Sequence, residues 1–164
     1  MTHVKYIDRT RDYYLSLGYE KPYRWAHFDE TPFTPLKKPL AESRVTLVST
    51  SEIAVRSWDD QRTPLEKGEA PNVYTIPSDT PIADLYSQTY DFDKHATTLD
   101  DVDTFFPITR LHEAAASGRI GSVAPTLYGL YNAYSQRKTR ETDAPEVLRH
   151  CRKEEVDVAV LTPV

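Results

Sequence analysis

Apolar residues along this chain fall in short runs set between long polar stretches, and few of the runs are long enough to be more than a single element. Residues 7–17 (IDRTRDYYLSL) predict a short helix, with Gly18 as its stop. From Tyr19 to Pro39 five aromatics and four prolines interleave, which predicts a non-regular arm rather than a helix. Residues 44–50 (RVTLVST) hold a compact, β-branched apolar run and predict a strand; residues 73–76 (VYTI) predict a second, stopped by Pro77. The polar stretch 55–72 reads as a loop, and the acidic stretch 78–104 as neither helix nor strand with any force. Pro107 opens a helical pattern, PITRLHEAAASG, in which Ile108, Leu111, Ala114 and Ala115 share one stripe and Gly118 ends it. Residues 120–135 suit strand and turn or helix equally. A helix is expected from Asp143 to Glu154, with Asp143 as N-cap, Pro145 in the first turn, Glu146 at the third position, and Val147, Leu148 and Cys151 facing inward. The final run, Val156 to Val164, is what a buried parallel strand looks like.

Strands alternating with helices define an α/β expectation: a mainly parallel sheet with flanking helices over 44–164, preceded by a helix and an extended Pro/Tyr-rich arm over 1–43. Composition alters this picture little. The chain has 164 residues, ordinary for one domain. Twelve prolines against five glycines, with eleven tyrosines, favour ordered extended arms over flexible linkers. The tyrosine-rich segment 13–28 is either a partner surface or an arm folded onto its own core. A net charge of −5 with no basic stretch argues against a nucleic-acid partner. No apolar run approaches the ~20 residues needed to span a bilayer. The start, MTHVKYIDRTRDYY, lacks a signal core, and a single cysteine fits a reducing cytoplasm.

Three sets of residues could carry chemistry. Ser49, Thr50, Ser51 and Glu52 follow the first strand. Beside the carboxyl end of a parallel neighbour they could bind a carboxylate or orient a reactive group, or simply cap a helix. Asp91, Asp93 and His95 alternate, and on an extended segment share one face that could hold a metal or a substrate ammonium; a solvated acidic loop is the plain alternative. Cys151 could be a nucleophile, but mid-helix beside Val147 it reads better as a small core residue. Histidine and glutamate in HEAAASG lack a second histidine four residues on, so this is a helix end and no zinc site.

Five stretches, in order, resemble one family: PYRWA at 22–26, PFTPLKKPLAESRVTLVST at 32–50, IPSDTP at 76–81, FFPITRLHEAAASGRIGSVAP at 105–125 and DVAVLTPV at 157–164. Together they resemble the selenoprotein B family of glycine, sarcosine, betaine and D-proline reductases, closer to the D-proline-reductase-like branch. The resemblance implies reductive cleavage of a carbon–heteroatom bond, typically C–N, in an amino acid or related small molecule, at the expense of a dithiol. It implies a selenocysteine or cysteine in a U-x-x-C or C-x-x-C motif just after a strand like VAVLTPV, and in several members a partner subunit carrying a pyruvoyl group. A selenol suits such work because it is ionised at neutral pH, where a thiol of pKa ~8.5 is mostly protonated. The sequence departs from the family pattern in lacking that motif, and its segment 89–107 matches the family's histidine-bearing segment imperfectly. The redox motif is therefore expected just after Val164, as if an in-frame UGA had been read as a stop. Ser49 to Glu52, Asp93, His95 and Thr162 are the expected pocket residues; no metal and no resident cofactor are expected. The expected partners are other reductase subunits, further copies of the chain and a small-molecule substrate. A non-catalytic assembly or binding subunit, and an unrelated stand-alone protein on the same fold, are the alternatives.

Overall fold

The computed structural model describes residues 5–22, 27–31, 33–57, 72–90, 92, 94–131 and 134–164. It divides into two units, Met1–Thr34 and Pro35–Val164. The first contains helix α1 (Tyr6–Ser16) and no buried residue among those described. Gly18, at φ +87°, ends α1 in the left-handed conformation that only glycine adopts cheaply. Tyr14 packs edge-on against Tyr13 and Tyr19, each at 5.6 Å between ring centres.

The second unit is built around strand β1 (Arg44–Ser49), whose last five residues are all buried. Strand β7 (Val158–Thr162) runs parallel to β1 in register from Val45↔Val158 to Ser49↔Thr162 and occupies one edge of it. Two consecutive strands share the other edge, β5 (Ser122–Val123) beside Arg44 and Val45, and β6 (Thr126–Leu130) beside Val48 and Ser49, both parallel to β1. Strand β3 (Val73–Pro77) adds antiparallel to β6. The result is a mixed, mostly parallel sheet, the α/β class the sequence predicts. A separate antiparallel pair joins β2 (Ile53–Val55) to β4 (Leu85–Ser87).

Alternation along β1 sends side chains to two cores. Val45 and Leu47 join Ile108 and Leu111 of helix α2 (Ile108–Ala116), with Val158 and Val160 of β7 packed alongside. Val48 joins Tyr128 of β6 and Cys151 of helix α4 (Ala144–Lys153), with Val147 beside them. Helix α2 is the predicted one, stopped by Gly118 at φ +70°. Its start is capped from a preceding turn: Asp103 Oδ1 accepts the Thr109 N–H at 2.9 Å, and Asp101 Oδ1 accepts that of Asp103 at 3.1 Å. Gly129 lies against the Tyr74 ring, and a Cβ there would occupy the ring's own space.

Three sequence expectations are corrected. Asp143 is not an N-cap. The helical stretch begins at α3 (Gln136–Lys138), where Ser135 Oγ accepts the Lys138 N–H at 3.3 Å, and it continues through a π-helical turn (Thr139–Asp143) into α4. Pro145 explains the turn. Its ring clashes with a regular α-helical carbonyl four residues back, and the wider turn, in which Ala144 N–H reaches the Thr139 carbonyl, relieves that clash. Leu148 faces out, 49% exposed, because the register set upstream turns Val147 and Cys151 inward instead. The last strand is half-buried rather than buried: Ala159 and Leu161 are exposed, Leu161 by 70%, because no described element covers that face of β7.

Candidate functional site

The carboxyl ends of β1, β6 and β7 lie at one end of the sheet, where loops rather than ladder bonds must satisfy the backbone. There the predicted residues of β1 meet the end of β7. Ser49, 1% exposed, is the hub. Its Oγ lies 2.7 Å from Ser51 Oγ, 3.1 Å from the Thr162 carbonyl and 3.2 Å from the Phe105 carbonyl, and it accepts the Ser51 N–H at 3.2 Å. A hydroxyl has one proton and two lone pairs, so this group is fully engaged inside the protein. Thr50 clips the next step of β7. Its N–H donates to the Thr162 carbonyl at 3.4 Å, and its Oγ1 accepts the Val164 N–H at 2.9 Å while facing the Val164 carbonyl at 3.3 Å. The Ser51 carbonyl accepts the Ser87 hydroxyl at 2.5 Å, which ties β4 to the same knot.

Two groups at this end remain open. Glu52 adopts φ +50°, a left-handed conformation uncommon for a non-glycine residue, and turns the chain from β1 into β2. Its carbonyl accepts the Gln88 N–H at 3.0 Å, but its half-buried carboxylate has no partner among the described residues. Thr162 Oγ1 is buried without a hydrogen bond among the described residues. Ser49, Thr50, Ser51, Glu52 and Thr162 thus gather as the strand pairing predicts; the serines act as internal ties, and Glu52 and Thr162 keep free valence. His95 is exposed. Asp91 and Asp93 lie outside the described residues, so the three-residue face proposed for them is not formed from described positions. Among the described residues no three His, Cys, Asp or Glu side chains gather as a metal site requires.

Cys151 lies away from this end, in the core under α4, 8% exposed. Burial, then the Glu154 charge, pushes its thiol up. The same two causes raise the Tyr128 phenol, whose hydroxyl is buried beside the Glu154 carboxylate. Glu154 is held by the Thr126 hydroxyl at 2.5 Å and its carbonyl accepts from Arg44 Nη1 at 2.5 Å, so this cluster fastens the end of α4 to β1 and β6.

Sequence reasoning missed Asn72 and Asp143. Both are buried polar residues, 4% and 2% exposed, where β3 begins and the π-helical turn ends. Asn72 looks like any loop residue, and the neighbouring Pro145 makes Asp143 look like a cap.

Open α/β sheets, as a class, place their ligands just past the carboxyl ends of their strands, which is where this chain gathers its polar groups. Within that class it is similar to the D-proline reductase subunit gamma of Acetoanaerobium sticklandii, 28% identical over 131 residues, which are 79% of this chain and 52% of the relative. The chain is distantly related to that protein and spans about half its length. No protein-family model matches the chain, and no solved structure does. Among the described residues no helix is long and apolar enough to cross a membrane.

Proposed function

We propose that this chain is part of a D-proline-reductase-like enzyme of the selenoprotein B type, supplying scaffold and one wall of the substrate pocket. The observation that carries the reading is the match over most of the chain to a D-proline reductase subunit. The parallel pairing of β1 with β7 supports it, because Ser49 and Thr50 hold the end of β7, where the resembling family places its redox motif. The single cysteine is buried and its thiol raised, which supports a redox group, a selenocysteine or cysteine pair, supplied from outside these 164 residues. A dithiol would supply two electrons and two protons and leave as a disulfide, the protons going to the carbon and the nitrogen of the cleaved C–N bond of an amino acid; a pyruvoyl group, where a partner subunit carries one, would help to hold that substrate. A second reading, a non-catalytic assembly subunit, is favoured by the internal engagement of Ser49, Ser51 and Thr50.

Co-assembly tests the reading. The chain is co-expressed with the other subunits of a D-proline reductase and fractionated by size. Co-elution with those subunits is expected, together with no D-proline turnover by the isolated chain under dithiol. A chain that elutes apart, where the authentic gamma subunit assembles, would sink the reading. Turnover of D-proline by the isolated chain would remove the external redox group from it.

A further inference from the structure

Asn72 and Asp143 carry complementary unmet demands. The Asp143 carboxylate accepts the Asn72 backbone N–H at 3.3 Å and has no other hydrogen bond or ion pair among the described residues. The Asn72 side-chain Nδ2, with two N–H donors, is buried without an acceptor among the described residues. Buried carboxylates are ordinarily held by a cation or several donors, and buried amides ordinarily use their protons. The carboxylate therefore calls for a cationic donor and the amide for an acceptor.

Their place in the sheet adds a direction. Ser49, Gly129 and Tyr74 form one row across β1, β6 and β3. Asn72 lies beyond that row toward the carboxyl end, where its carbonyl accepts the Tyr131 N–H at 3.1 Å. Strand spacing and rise set it roughly 12 Å from Ser49, at the same end of the sheet as Glu52 and Thr162.

We infer that Asn72 and Asp143 form a subsite for an amino or imino acid. Asp143 accepts from the ammonium, and Asn72 Nδ2 donates to the adjoining carboxylate. No bond is made or broken there; the pair positions the amine. The inference rests on reading the chain as part of an amino-acid reductase and adds to it the residues that recognise the substrate.

Calorimetric titration of the purified 164-residue chain tests it, with D-proline and with pyrrolidine, which keeps the ammonium and lacks the carboxylate. Asp143→Asn preserves an acceptor for the Asn72 N–H and removes only the charge. For a binding group it weakens both ligands at least tenfold with melting temperature unchanged or raised, since an under-paired buried charge is relieved. Asn72→Ala weakens D-proline but leaves pyrrolidine within twofold, and it carries the test if the Asp143 variant does not fold. Equal D-proline affinity in wild type and both variants overturns the subsite, as does absence of saturable D-proline binding to the wild-type chain. Neither result touches co-assembly with reductase subunits, so failure of the subsite and failure of the parent reading are separable.

Discussion

Cys151 shows how burial decides between two roles open to one residue. Its neighbours in the core are Val48, Tyr128 and Val147, and its thiol is raised first by desolvation and then by Glu154. The thiolate is the nucleophile, so raising the thiol lowers reactivity at neutral pH, and burial blocks access as well. Iodoacetamide at pH 7 should label the native chain far more slowly than the urea-unfolded chain. Cys151→Ser should cost about 1–3 kcal/mol, because it leaves a hydroxyl in an apolar setting. Rapid native labelling would show that the side chain opens to solvent and restore it as a candidate nucleophile. The serines at the end of β1 make a related point. Residue type left ligand-binding and loop-capping hydroxyls equally open; in the fold the Ser49 hydroxyl and the Ser51 backbone are engaged by Thr162, Phe105 and Ser87.

Helix α4 carries a charge cluster on its outer face. Arg149 meets the Glu146 carboxylate at 2.6 and 3.0 Å, and His150 Nε2 lies 3.1 Å from it. The Arg149 hydrogen bonds, more than any other cause, pull Glu146 from 4.5 down to about 2. A lowered folded pKa stabilises the protein above the unfolded value, and the contribution is lost as pH falls through the folded one. Stability should therefore decline between pH 4.5 and 2 partly through this group. Glu146→Gln should flatten that part of the pH profile of urea unfolding, by a margin that shrinks in high salt because the cluster is exposed. Identical slopes in variant and wild type would remove the cluster from the pH dependence. At this scale the sequence was legible wherever local pattern and tertiary role agreed. The β-branched run 44–49 and the Pro107-to-Gly118 helix both emerged with their predicted character. It misled at α4, where Asp143 and Pro145 imitate a helix start that Ser135 in fact supplies. It was silent on β2 and β4, three residues each, which exist only because they pair with one another.

The whole second unit is organised by β1, and its two sides are finished differently. On one side β5 and β6 pair with β1 and β3 covers β6. On the other, β7 pairs with β1 alone among the described strands and shows Ala159 and Leu161 to solvent. The meeting of Ser49 with Thr162 could be anticipated, because parallel pairing of two apolar runs brings their carboxyl ends together. The Asn72–Asp143 pair could not, because a hydrogen bond across 71 positions leaves no local pattern. The open side of β7 has a consequence in solution. Strand residues alternate the direction of their backbone groups, so those of Ala159 and Leu161 point away from β1, beside side chains that are themselves exposed. Pro163, without an N–H, limits further pairing to this short stretch. An edge of this kind, with an uncovered apolar face, should draw chains together as concentration rises. Light scattering of the purified chain should show mass increasing with concentration. Leu161→Lys, which places a charge on the exposed face and removes no buried contact, should shift the distribution toward monomer with little change in melting temperature. A wild-type chain that stays monomeric at millimolar concentration, or a Leu161→Lys variant that associates as strongly as wild type, would show that β7 is not the surface through which copies meet.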